Sequence, residues 1–137
     1  MSDLIWKEKT PVFGDVVRTR VQFYYHYGIF VSESEVIQFG LPDDPFRPAC
    51  QIRVISTDVL TFLQGGDLEV MMPDRSSRRQ MRSPEQIVAI ARQRMGEDGY
   101  DILHNNCEHF VNECAFGQHH CSFLQDVRQK LRAKLGK

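Results

Sequence analysis

The feature that most constrains this chain is a pair of apolar runs set four residues apart. Phe23 to Val31 is dense in aromatic and β-branched residues, and Val36-Ile37-Gln38-Phe39-Gly40 resumes the pattern after the polar stretch Ser32-Glu33-Ser34-Glu35. Residues of that kind suit a pleated, half-buried surface. Two such runs joined by so short a polar link read as a β-hairpin. Further strands are expected at residues 16–21, 50–55 and 68–72, while 57–63 suits either a strand or a short helix. Residues 41–48 carry three prolines and two aspartates and are expected to be loop. Residues 1–10 read as a loose lead-in that Trp6 pins to the body, and 73–82 as a polar loop with four arginines.

Helix signals come later in the chain. Ser83 is a cap, Pro84 suits the first helical position, and Gln86 can close a capping box ahead of Ile87, Val88, Ile90, Ala91 and Met95. Residues 100–103 read as a short extended approach to a second helix. Asn106 can cap that helix, Gly117 can end it, and Cys107, Phe110, Val111 and Cys114 share one face at i, i+3, i+4 and i+7. Strands first and helices after them point to an α+β domain with an antiparallel sheet.

Composition bounds the function. A chain of 137 residues, 42% hydrophobic and 26% charged, suits one soluble domain. A net charge of −1 gives no field to draw in nucleic acid. No apolar run approaches the roughly 18 residues of a membrane span, and the N-terminus has no signal-peptide pattern. A cytoplasmic location is the expectation. Cys50, Cys107, Cys114 and Cys121 have no disulfide-framework spacing and are expected as free thiols.

Cys107 sits where a helix gathers partial positive charge, which favours a thiolate. Read locally, it is equally a buried core thiol. A nucleophilic cysteine needs a base and a group that orients the base. Of the five histidines, His26 on the first hairpin strand is the best candidate. His109, two residues along the same helix, should point to another face, and His104 lies in a loop. Cys114, His119, His120 and Cys121 match no standard zinc spacing, so no metal and no cofactor are expected.

His26-Tyr27-Gly28-Ile29-Phe30-Val31 followed by Asn106-Cys107-Glu108-His109-Phe110 resembles the lecithin:retinol acyltransferase family. Gly14-Asp15-Val16-Val17 resembles the segment that opens that family's first strand. The resemblance spans roughly residues 11–117 of a single domain covering 1–137, with 118–137 left as a C-terminal basic amphipathic helix. It implies a circularly permuted papain-like (NlpC-type) α+β fold, with an antiparallel sheet packed on helices and the nucleophile at a helix N-terminus. It also implies a thiol-dependent acyl hydrolase or acyltransferase that passes a lipid acyl group, from a phospholipid-like ester, through a Cys107 thioester. Two alternatives stand beside it: an NlpC-type amidase or cysteine peptidase, and a catalytically silent interaction module of the same fold.

The resemblance carries Cys107 over as nucleophile and His26 as general base. The family's third residue is a second histidine twelve positions after the first, and here that position is Gln38. Amides of the helix N-terminus at Asn106 and Cys107 would hold the oxyanion, and Tyr25 and Tyr27 are candidate substrate contacts. Residues 122–137 carry five basic side chains against Asp126 alone, so peripheral contact with anionic membrane is an expectation there.

Register tests the set. If 32–35 were a plain four-residue loop, Ile29 would face Gln38, leaving His26 and Gln38 on opposite sheet faces. A bulge or longer loop beginning at Val31 sets Gly28 against Gln38 and makes His26 its same-face diagonal neighbour. The catalytic reading therefore requires an irregular hairpin.

Overall fold

The computed structural model describes residues 5–119. Among them, six strands form one sheet in the order β1-β6-β2-β3-β4-β5, every neighbouring pair antiparallel. They are β1 Ile5–Lys7, β2 Val16–Val21, β3 Tyr24–Ser32, β4 Glu35–Phe39, β5 Val54–Thr57 and β6 Glu69–Met72. The helices are α1 Val59–Leu63, α2 Arg75–Gln80, α3 Pro84–Gln93 and α4 Cys107–Phe116. The α+β class and antiparallel sheet read from the sequence are the observed architecture. The C-terminal basic segment 122–137, with its expected helix and membrane contact, lies outside the described residues.

Strand alternation sorts the core into two faces. Tyr27, Ile29, Ile37, Phe39 and Val54 meet α3 through Ile87, Val88 and Ala91, and α4 through Phe110, Val111 and Cys114. Val17, Phe30, Val36 and Val70 meet Phe62 of α1 on the other face. Residue parity along β3 and β4 thus decides which helix a side chain reaches.

The central hairpin is irregular, as the catalytic reading required. Ile29 pairs with Ile37 and Phe30 with Val36, but Ser32 pairs with Glu35, so the register slips by one residue at Val31. Continued inward, the Ile29–Ile37 register sets Gly28 against Gln38. A Cβ on Gly28 would lie 2.8 Å from Phe62 Cε1 and 2.8 Å from Val36 Cγ1. That position takes glycine because the Phe62 ring fills the space a side chain would need.

Local signals for α3 and α4 hold in detail. Ser83 and Gln86 form a reciprocal capping box with Pro84 in the first turn. Gly117 ends α4 at φ 71°, a left-handed conformation that glycine adopts without Cβ strain. Arg82 then secures that end: its backbone N–H donates to Ala115 O at 2.8 Å and its guanidinium to Cys114 O at 3.1 Å. A cation on the last carbonyls complements the helix dipole.

Four expectations need correction. Residues 5–7 are an edge strand paired with β6, not loose chain. Cys50 lies in a 3-10 turn, Ala49–Gln51, and the strand begins only at Val54, because Pro48 directs the backbone into that turn. The arginine-rich 73–82 segment contains α2, capped by Asp74, whose side chain accepts from Ser77 N at 2.7 Å. Residues 100–103 are not extended; the chain turns between Asp101 and Asn105, which pair backbone to backbone.

Candidate active site

The N-terminus of α4 is organised by Asn106 and His109. Asn106 Oδ1 accepts from Glu108 N at 3.0 Å and His109 N at 3.1 Å. In return Asn106 N donates to His109 Nδ1 at 2.9 Å, and Asn106 Nδ2 donates to Ile102 O at 2.8 Å. His109 therefore completes a capping box in the place usually held by Glu or Gln. The reading that set His109 aside as a base agrees with this geometry, since its buried Nδ1 lone pair is engaged by the cap. The backbone N–H and side-chain amide of Asn106 are likewise engaged, so its observed part is to fix the first turn.

Cys107 follows the cap as the first helical residue and is 8% exposed, packed in the core cluster that holds Tyr27. Burial raises the Tyr24 hydroxyl pKa, and negative charge at Cys107 raises it further. Tyr27 is also raised, by burial, then by Glu108, with Cys107 adding to the effect. Cys107 is thus within electrostatic reach of Tyr24 and Tyr27, and it packs with Tyr27 on the α3–α4 side of the sheet, whereas His26 projects to the α1 side.

His26 is 3% exposed and Gln38 fully buried. They come from adjacent strands on the α1 side of the sheet, with His26 Nε2 at 2.9 Å from Gln38 Oε1. Which atom donates follows from the rest of the network. Gln38 Nε2 donates to Val36 O at 3.2 Å and to Thr57 Oγ1 at 2.8 Å. The amide is thereby oriented with Oε1 toward the imidazole. An amide oxygen only accepts, so the imidazole proton sits on Nε2 and Nδ1 carries the lone pair. Among the described residues no hydrogen bond engages that Nδ1.

The His26 ring also packs on Phe62, with centroids 5.1 Å apart. Burial pushes its pKa down to about 4, against a smaller opposing effect of the Gln38 hydrogen bond. At neutral pH the imidazole is uncharged and able to take a proton.

Tyr25 and Tyr27 point to the opposite face. The Arg18 guanidinium lies 3.8 Å from the Tyr25 ring centroid and 4.2 Å from that of Trp6, and Trp6 meets Tyr27 edge-on at 5.7 Å. Arg18 is held in turn by Glu69 at 2.6 Å. Tyr25 also lines a cleft of about 440 Å³ with Glu8, Arg20, Gln22, Gly66, Asp67 and Glu69. That cleft is polar, unlike the apolar one a lipid chain would fill. Half-exposed Tyr24 and the 71% exposed Ile102 are the apolar groups nearer the α4 cap.

Sequence reasoning missed Thr57 and Phe62, which support the His26–Gln38 pair from the β5–α1 corner. The local signal was Asp58, whose side chain accepts from Thr61 N at 2.7 Å and so starts α1 immediately after Thr57. His119, considered above as a metal ligand, pairs with Glu113 and His104 O. Among the described residues no group of three or more His, Cys, Asp or Glu is placed to hold a metal ion. Nor is any helix among them long and apolar enough to cross a membrane.

Comparison with known proteins agrees with the motif reading. The family model described as lecithin retinol acyltransferase matches residues 9–120. Lecithin retinol acyltransferase from Mus musculus is 29% identical over 126 residues, covering 77% of this chain and 54% of the relative. The Bos taurus protein of that name is 31% identical over 124 residues, with 76% and 54% covered. Phospholipase A and acyltransferase 3 from Homo sapiens is 22% identical over 126 residues, with 85% and 78% covered. The chain spans about half the length of the lecithin retinol acyltransferases it matches.

Proposed function

The chain belongs to the lecithin retinol acyltransferase family, and from that premise we propose that it is a cysteine-dependent acyl hydrolase or acyltransferase acting on a phospholipid-like ester. The observation that carries the reading is the locked His26–Gln38 pair. It leaves a neutral imidazole with its lone pair on Nδ1, one residue along β3 from Tyr27, which shares a cluster with Cys107. A neutral imidazole with a fixed tautomer is what a general base requires.

This mechanism requires the Cys107 thiol to reach His26 across β3; His26 Nδ1 then takes its proton as Sγ attacks the ester carbonyl carbon. The carbonyl π pair moves to oxygen, and the oxyanion is held at the α4 N-terminus, where the Cys107 amide and the helix dipole face it. Collapse expels the lipid alkoxide, which takes the proton back from the His26 imidazolium and leaves an acyl thioester on Cys107. Water, an alcohol or an amine then attacks the thioester with His26 again as base. The incoming group decides between hydrolysis and transfer. Gln38 stabilises the imidazolium only through its carbonyl dipole, so the positive charge on His26 is short-lived and proton transfer stays coupled to attack.

The test is intact-mass analysis after exposure to phosphatidylcholine vesicles, followed by peptide mapping. An acyl adduct confined to Cys107, absent in Cys107→Ser and reduced in His26→Ala, is the expected result. Absence of any adduct, with all thiols alkylated at equal rates by iodoacetamide, would overturn it. Hydrolysis of a peptide amide in place of the ester would move the chain to the amidase branch.

A further inference from the structure

A primary amide is nearly symmetric in shape but opposite in hydrogen-bonding sense at its two ends. If the Gln38 amide turned over, its NH₂ would face His26. Nε2 would then have to accept, and the imidazole proton would move to Nδ1. The base would lose its lone pair on the side the proposed mechanism uses. The Gln38 found here therefore needs an orienting device.

Two acceptors supply it. Val36 O is a backbone carbonyl, but its contact is the longer one at 3.2 Å. Thr57 Oγ1 makes the shorter contact at 2.8 Å. A hydroxyl can donate as well as accept, so by itself it would tolerate either end of the amide. Here its proton is already directed to Asp58 O at 3.0 Å, which leaves the oxygen to accept. Asp58 is fixed in turn, because its side chain caps α1 through Thr61 N, and the same helix presents Phe62 to the His26 ring. Thr57 sits opposite Val36 on β5, one same-face step from Gln38.

We propose that Thr57 is a positioning residue of the site: its hydroxyl, polarised by Asp58 O, locks the Gln38 amide and thereby selects the Nε2–H tautomer of His26. The proposal rests on His26 as general base for its effect on rate, but its effect on the tautomer stands apart from catalysis. Thr57→Val keeps the side chain's shape and removes the hydroxyl. Thr57→Ser keeps the hydroxyl.

The experiment has two arms on the full chain. In the first, histidine ring ¹⁵N spectra identify the His26 tautomer. Wild type and Thr57→Ser should show Nε2–H, and Thr57→Val a mixture with the Nδ1–H form. In the second, the rate of Cys107 alkylation by iodoacetamide at pH 7 should fall about tenfold in Thr57→Val, the scale of one net hydrogen bond, and recover in Thr57→Ser. An unchanged tautomer in folded Thr57→Val overturns the proposal, as does a rate loss that serine fails to restore. If His26→Ala alkylates as fast as wild type, the general-base reading fails instead, while the tautomer arm still decides the role of Thr57.

Discussion

The buried, uncharged state of His26 makes the stability of this domain depend on pH in a defined window. The folded-state pKa lies at about 4, against an ordinary 6.5 for the exposed side chain. Above pH 6.5 the imidazole is neutral in both states and contributes no pH dependence. Between 6.5 and 4 the unfolded chain binds a proton that the folded protein refuses, so stability falls as pH falls. At about 1.36 kcal/mol per pH unit the loss from this one residue reaches about 1.5 kcal/mol at pH 5.5 and about 2.5 kcal/mol at pH 4.5. That is a large share of the roughly 5–15 kcal/mol that holds a typical domain. Urea unfolding at pH 7, 5.5 and 4.5 measures it, followed by the fluorescence of Trp6, the single tryptophan, which packs on Tyr27. The control is His26→Gln, which can still donate to Gln38 Oε1 but does not titrate. Other acid-titrating groups act alike in both proteins and cancel in the difference. The variant should lose less stability than wild type on acidification, by the amounts above. A wild-type minus variant difference that is flat from pH 7 to 4.5 would refute a buried His26 with a depressed pKa.

Three further outcomes follow from the same geometry. Gly28→Ala places a methyl 2.8 Å from both Phe62 and Val36; thermal unfolding should show a loss of about 1–3 kcal/mol by overpacking, and a variant as stable as wild type would disprove the tight fit. Asn106→Ala removes the acceptor for the Glu108 and His109 amides and should cost about 1–2 kcal/mol in chemical denaturation, with slower Cys107 alkylation because the first turn frays. Cys114 is fully buried and its thiol is pushed up to about 12, chiefly by burial; peptide mapping after iodoacetamide at pH 8 should find it unmodified in the folded protein while Cys107 is modified, and labelling of native Cys114 at a similar rate would contradict that burial.

What the sequence made legible was what neighbouring residues decide among themselves. The Ser83–Gln86 box, the Asn106 cap, the Gly117 stop and β2 depend on contacts within a turn or on simple alternation, and all are observed. What escaped depended on partners far along the chain or on a weak local pattern. Three residues at 5–7 are too short a run to announce a strand alone; they pair because β6 offers an edge some 65 residues later. The α2 segment lacks an apolar stripe, so only Asp74 announced it. Thr57 reads as a strand-end threonine until β5 is laid beside β4. The His26–Gln38 contact was legible as a condition, since the identities of both residues were visible while the slip at Val31 that brings them together was not.

That slip at Val31 means the site is written in chain length as well as in residue identity. Deleting one residue between Phe30 and Glu35 would remove the slip yet keep Phe30 opposite Val36 and Gly28 opposite Gln38, whereas deleting two would draw Phe30 opposite Glu35 and set Tyr27 against Gln38. In the two-residue deletion His26 would keep its strand and Gln38 its own, yet a sheet would stand between them. Substitutions in the exposed 33–34 turn and a single-codon deletion beside it should be absorbed, whereas a two-codon deletion should abolish activity in a protein that remains folded. A scan of variants confined to substitutions would rate this turn as dispensable and overlook that it sets the frame in which the site is read.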